Sequence, residues 1–364
     1  MMPAFFPSRT VSVYMATMFL TRTFSVLAGL VLILMTLDLL GKSGDVLAYP
    51  GNGQAQLWTY VSLRAPQIVS TFLKFSVLLG TLITLATLNQ NSEVIALKSS
   101  GLSAHQILAP LVVTGMLVAL LSFLFNERVV ARATATLSAW EKVDYGPMPS
   151  GPGVLSNVWV RDGEDLIRAG HATGRGRATR LEDVAVYDRR DGNLGAILTA
   201  RTARFDGAAW RLEGAKRFDV ATGSVTPLGT VRAAAGVSPD RFTLASVNPD
   251  GLSFTQLYSA IEDLEAAGRP TQSLRASLWH KLSGPLSAVL MPLLGAVAGF
   301  GLARSGRLFL RAVIGMALGF AYFVADNFAL AMGNLGAYPP LLAAWAPFFL
   351  FLLIGEAVLI RTEE

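Results

Sequence analysis

Five ionisable residues, Asp38, Arg64, Lys74, Lys281 and Asp326, lie within or beside long apolar stretches of this 364-residue chain. At the centre of a membrane helix each costs roughly 2.5–3.5 kcal/mol on insertion scales, so each must face protein interior, water or the interface. Lys74 sits deepest and points to a water-filled or anion-lined cavity. Asp38, Arg64 and Lys281 lie near segment ends, where structural ion pairing and snorkelling to the headgroups explain them as well as function does. Other chemistry is scarce. Gly41-Lys42-Ser43 resembles the tail of a phosphate-binding loop, but Thr36 stands where its first glycine belongs and no strand precedes it. Any ATP and magnesium must therefore be held by another chain, and no cofactor is expected here. His105, His171 and His280 fall in three separate regions, so a shared metal site is not expected. There is no cysteine, no Gly-x-Ser-x-Gly elbow and no His-Glu-x-x-His, so catalysis by this chain is not expected.

The elements that must position these charges follow from hydropathy. The chain is 52% apolar and 15% charged, outside the usual range of soluble domains. Six segments, near 15–40, 62–88, 107–126, 279–302, 308–332 and 338–360, approach the 20 or so apolar residues a membrane helix needs. The first is far longer than a signal-peptide core and is expected to remain as a helix. Arg9 and Arg22 at the start of segment one, Lys98 between segments two and three, and Arg304, Arg307 and Arg311 between four and five place those parts in the cytoplasm. Both termini are then cytoplasmic, and the middle of the chain lies on the opposite side. The arginines are scattered without interleaved aromatics, which argues against nucleic acid despite a net charge of +5.

Residues 142–252 read as an all-β domain, with alternating runs such as Val158-Trp159-Val160 and Val184-Ala185-Val186-Tyr187. Asp162-Gly163, Asp191-Gly192 and Asp206-Gly207 mark its turns. A sandwich or jellyroll is the expected closure. Residues 253–277 form a linker helix opened by the capping box Ser253-Phe254-Thr255-Gln256 and stopped by Gly268 and Pro270, with Leu257, Ile261 and Leu264 on one face. Within 1–141, a short helix at about 90–102 has Ser92 as its N-cap and Gly101 as its stop, with Val94, Leu97 and Lys98 sharing a face. It either returns to the membrane surface or fits a groove on a partner.

Three motifs carry a family resemblance over nearly the whole chain. They are Ser92-Glu93-x5-Ser99-Ser100-Gly101, the run Leu278-Trp279-His280-Lys281-Leu282-Ser283-Gly284-Pro285-Leu286-Ser287, and Gly315-x3-Gly319-Phe320-x-Tyr322-Phe323-Val324-x-Asp326-Asn327. The chain resembles the lipopolysaccharide-export permeases LptF and LptG. Asp326 and the Tyr338–Pro347 ending look more like the LptG branch than the LptF paralogue. The resemblance implies a membrane α-helical bundle of six transmembrane helices, 278–364 holding the last three, with an inserted periplasmic β-jellyroll. It also implies a permease of the bacterial inner membrane, serving outer-membrane biogenesis, that extracts lipopolysaccharide.

The implied partners are an LptF-type permease in a heterodimer, an LptB-type ATPase dimer, an LptC-type single-span protein and a periplasmic LptA-type bridge. Glu93, with Val94, Leu97 and Lys98, matches a coupling helix seated in the ATPase groove. Asp38, Lys42, Arg64, Lys74, Phe320, Phe323 and Asp326 become candidates for the lipid cavity or gate. Family members carry lysines where this chain has Met35 and Gln67, so Lys42, Arg64 and Lys74 are the nearby groups for the lipid's phosphates. Two rivals are a membrane-anchored periplasmic scaffold or sensor and an ion-driven transporter working through Asp326 and Lys74. The second lacks an inverted repeat.

Overall fold

The structure, a computed structural model, describes residues 7–147, 155–174, 178–190, 193–239, 242, 248–266, 269–299 and 308–361. Helix α1, Arg9–Ala48, starts at Ser8, whose Oγ accepts from the Val11 N–H at 3.4 Å. It packs along α2, Gln54–Gln90. Their backbones come very close where Gly80 meets Thr23, since a Cβ at position 80 would lie 2.9 Å from the Thr23 Cα. Small residues at such crossings let membrane helices approach without a side chain between them.

The short helix α3, Glu93–Ser99, ends in a Schellman motif. The Gly101 N–H bonds the Lys98 carbonyl, the Leu102 N–H bonds the Leu97 carbonyl, and Gly101 takes φ +91°. Ser92 occupies the N-cap position but departs from the expected cap, with φ +61° and no side-chain bond to the helix. Helix α4, Ala104–Phe125, opens with a Ser103/Gln106 capping box. It does not stop at 126 as the sequence suggests. It passes through a π-turn, Asn126–Val130, into α5, Ala131–Glu141.

Six strands follow: β1 Leu155–Asp162, β2 Asp165–Thr173, β3 Arg180–Arg190, β4 Asn193–Phe205, β5 Trp210–Asp219 and β6 Val225–Ala233. They form one antiparallel sheet in the order β1-β2-β3-β4-β5-β6. The register Val160↔Ile167↔Val186↔Leu198 puts apolar residues in line across four strands. With period-2 alternation these fall on one face. That face forms a core with Trp210, Leu212, Val237 and Phe242. Gly163, φ +61°, and Gly207, φ +102°, sit at two of the three expected turns, while Asp191-Gly192 lies outside the described residues. Among the described residues the strands follow one another as a sequential meander; alternation reveals strands but not their order.

Helix α6, Phe254–Ala266, carries the expected capping box: Ser253 N–H donates to Gln256 Oε1 at 3.1 Å and Gln256 N–H to Ser253 Oγ at 3.2 Å. Leu257 and Ile261 bury against Leu278. Gly268 lies outside the described residues, as do Arg304 and Arg307. The segment expected as one span over 279–302 is instead broken. Helix α7, Gln272–Leu286, passes through a 3₁₀ turn, Ser287–Val289, into α8, Leu290–Gly299. Pro285 lacks an N–H and crowds the carbonyl of Lys281, and Ser287 Oγ donates back to the Gly284 carbonyl at 2.6 Å, so the α-ladder loosens there.

Helices α9, Leu308–Asn334, and α10, Pro340–Arg361, complete the bundle. Among the described residues five helices are long and apolar enough to cross a membrane: Arg9–Ala48, Gln54–Gln90, Ala104–Glu141, Val313–Asn334 and Pro340–Ile360. One apolar core, including Phe19, Leu85, Ile107, Leu111, Leu294 and Phe351, joins α1, α2, α4, α8 and α10.

Candidate functional site

Helices α2, α4, α7 and α9, with the π-turn and the start of α5, enclose a cavity of about 340 Å³. At its floor Lys74 Nζ lies 3.2 Å from Asp326 Oδ2, a carboxylate whose side chain is only 3% exposed. His280 Nδ1 stands 3.7 Å from the other carboxylate oxygen and 3.5 Å from Ser283 Oγ. Three helices therefore meet on one carboxylate. A lysine at this depth is stable only beside such a partner, because an uncompensated charge in low dielectric costs several kcal/mol. Phe323, one turn before Asp326, lines the same cavity and meets Phe75 with ring centroids 4.9 Å apart. Ser70, Gln67 and Asn126 supply a polar wall, with Ser70 Oγ donating to Asn126 Oδ1.

A second charge cluster adjoins the first along α2. Arg64 donates to Asp38 through Nη2 at 3.0 Å and through Nε at 3.2 Å, and Tyr60 Oη donates to Asp38 Oδ2 at 2.6 Å. Arg64 also donates to Gln67 Oε1, which lines the cavity. The network ties α1 to α2. Arg64, for which both structural ion pairing and contact with the lipid's phosphates were expected, is engaged by a carboxylate. Lys42 lies apart on an exposed part of α1, paired with Asp45 at 3.0 Å. Phe320 is largely exposed on the outer face of α9 and does not line the cavity.

At the other end of the bundle, Glu93 Oε1 accepts from Tyr14 Oη at 3.3 Å and from Asn91 Nδ2 at 3.2 Å, which fixes the entrance of α3 against α1. Val94 is buried in the main core and Leu97 packs against it. Ile95 and Ala96 are the exposed pair. The face expected to meet a partner, Val94 with Leu97 and Lys98, therefore turns inward at Val94 and Leu97, and Ile95 and Ala96 take the outer position. Nearby, His105 Nε2 lies 3.2 Å from Glu356 Oε2, bringing the start of α4 to the end of α10.

The structure thus gathers Lys74, Phe323 and Asp326 at one site, joins Asp38 to Arg64 beside it, and leaves Lys42 and Phe320 outside. His280, Lys281 and Asn126 line the cavity as well. His280 and Lys281 had a visible signal, two adjacent polar residues opening an apolar run. Asn126 had none, because its inward turn depends on the π-turn.

A helical bundle with a charged cavity among helices long enough to cross a membrane, carrying an antiparallel sheet inserted between two of its helices, is the architecture of a polytopic membrane protein. The profile of the Lipopolysaccharide export system permease LptF/LptG family matches residues 13–361, and the chain belongs to that family. It is similar to the Lipopolysaccharide export system permease protein LptG of Escherichia coli K12, at 27% identity over 93% of this chain and 94% of that protein. It is also similar to LptG of Haemophilus influenzae, at 24% identity over 86% of this chain and 89% of that protein.

Proposed function

We propose that this chain is an LptG-type permease subunit of an ATP-driven exporter that removes lipopolysaccharide from the bacterial inner membrane. The observation that carries the reading is the family match across residues 13–361, which spans both helical parts and the sheet between them. ATP is bound and hydrolysed in an LptB-type dimer, and an LptF-type permease, an LptC-type single-span protein and an LptA-type bridge complete the path. Both termini are cytoplasmic, the sheet is periplasmic, and the broken run α7–α8 serves as the fourth of six crossings. The 3₁₀ turn gives that crossing its bend.

On this reading α3 receives the push of the ATPase. Its buried Val94 anchors it to the core, Glu93 holds it to α1 through Tyr14, and Ile95 with Ala96 meets the partner groove. Motion of α3 reaches the cavity through α2, which carries Arg64 and Lys74 on one rigid element. Phosphates on the lipid then compete with Asp38 and Asp326 for these cations. The exchange favours whichever anion sits where water is scarcest. Beyond the membrane, the apolar core beneath the sheet, with Val158, Ile167, Val186 and Leu212, is buried in this state and would receive acyl chains when the covering segment around Val237 and Phe242 moves aside. Closure of the sheet into a jellyroll by a partner strand would shield them further.

The test is co-purification and liposome ATPase activity of the assembled complex. Wild type should carry the ATPase and show lipopolysaccharide-stimulated hydrolysis. Glu93→Lys and Ile95→Asp should release the ATPase or uncouple it, while Phe320→Ala leaves it bound. An ATPase that never associates with this chain removes the ABC reading.

A further inference from the structure

We propose that the mouth of the cavity binds the headgroup of a zwitterionic phospholipid, with its phosphate on Lys281 and its ammonium on Asp250. The charges of the site separate into those already satisfied and those still open. Asp38 holds Arg64, and Asp326 holds Lys74. Lys281 lines the same cavity and makes no ion pair or hydrogen bond among the described residues. Asp250 lines it too, in the turn just before α6; its backbone N–H donates to Asn248 Oδ1, and its carboxylate has no ion pair among the described residues. The other carboxylate facing Lys281 is Glu127, already engaged by the Phe254 N–H at 2.6 Å. A positive and a negative group therefore line one cavity without pairing with each other.

The cavity's charge balance selects the ligand class. Lys74 is already paired with Asp326, which leaves Lys281 and Asp250 as the open groups at the mouth, and a phosphate joined to an ammonium satisfies both at once. The volume, about 340 Å³, lies within the range of small-molecule sites and exceeds such a headgroup. Ser277 and Asn126 offer further hydrogen-bonding groups to the phosphate. The polarity also fits a lipid's own order: Lys281 lies within α7, and Asp250 lies outside the helices at the end of the bundle from which the sheet departs. The inference goes beyond the transport reading, because a resident phospholipid is neither the exported lipid nor required by it.

The experiment uses the full chain, purified and exchanged into mixed micelles containing equal phosphoethanolamine and phosphoglycerol lipids, with retained lipid read by native mass spectrometry. Wild type should keep the phosphoethanolamine lipid in preference. Lys281→Gln should lose retention by about tenfold or more, the lower end of what one hydrogen bond to a charged group contributes. Asp250→Asn should abolish the preference, and Asp250→Lys should reverse it towards phosphoglycerol. Asp250 is exposed, so these two variants keep the test decisive even if Lys281→Gln does not fold. Equal retention of the two lipids by wild type, an unchanged preference in Asp250→Asn, no retained lipid, or displacement by inorganic phosphate alone would each overturn the proposal. Lipopolysaccharide release from liposomes, measured on the same variants, reports separately on the export reading.

Discussion

Removing the carboxylate of Asp326 should leave Lys74 as an uncompensated cation inside the bundle. Breaking a buried pair on one side costs about 3–5 kcal/mol, much of it the desolvation penalty of the group left behind. Asp326 is almost fully enclosed, but the Lys74 side chain keeps 21% of its surface and opens on the cavity of about 340 Å³. The lower end applies, so Asp326→Ala should cost about 3 kcal/mol, roughly a 150-fold change in the folding constant. Replacing both partners by apolar residues removes the penalty together with the attraction, so Lys74→Met with Asp326→Leu should be near neutral. The assay is equilibrium unfolding in mixed micelles titrated with denaturing detergent, followed by tryptophan fluorescence, for both single variants and the double. If the double variant is no more stable than Asp326→Ala, the two side chains do not compensate one another and the site's electrostatic account fails.

Tyr60→Phe deletes one hydrogen bond to Asp38 while leaving Arg64 in place, and in the same assay should cost about 1 kcal/mol. Gly80→Leu forces α1 from α2 where the Thr23 backbone stands 2.9 Å from an added Cβ, and overpacking of about 1–3 kcal/mol should appear as lost thermal stability of the purified protein. In the sheet, Asp206 accepts the Ala209 and Ala208 N–H groups, which hold its carboxyl below the usual carboxylate range, with Arg232 helping. A lowered folded-state pKa contributes stability that is present above the unfolded value of about 4 and is lost as pH falls through the folded one. Asp206→Asn should therefore flatten the acid limb of the protein's thermal-stability profile, and an unchanged limb would count against the role of those amides.

Much of this arrangement was legible in the amino-acid sequence because membrane helices announce themselves by sustained hydropathy. The two long runs, the sheet between them and the capping box at Ser253 all rest on local rules, period 2, period 3.6 or a side chain reaching three residues along. What escaped depends on contacts made at a distance. The π-turn at Asn126–Val130 leaves no mark in composition, so the helix was expected to end where it only changes pitch. Val94 and Leu97 share a face as expected, but helical periodicity does not say whether that face meets a partner or the chain's own core. That Arg64 is paired with Asp38, 26 positions earlier, is beyond any local rule. Strand order is likewise a matter of topology, and alternating residues carry no information about it.

The unbroken run Ala104–Glu141 is about 57 Å long at 1.5 Å per residue, nearly twice the hydrocarbon thickness of roughly 30 Å. Its far end is clamped: Trp140 Nε1 donates to the Gly146 carbonyl at 2.8 Å, and Leu137, Trp140 and Tyr145 pack with Val46 and Tyr60 into a small core of their own. α1, α2 and α5 are thereby bound into one collar at this end of the bundle. A tilt of only 10° in the membrane would sweep the rim of that collar sideways by about 5 Å over the projecting length of about 27 Å. With the helix seated in a bilayer, a small rotation would thus become a translation at the rim comparable to the spacing of about 4.8 Å between adjacent strands.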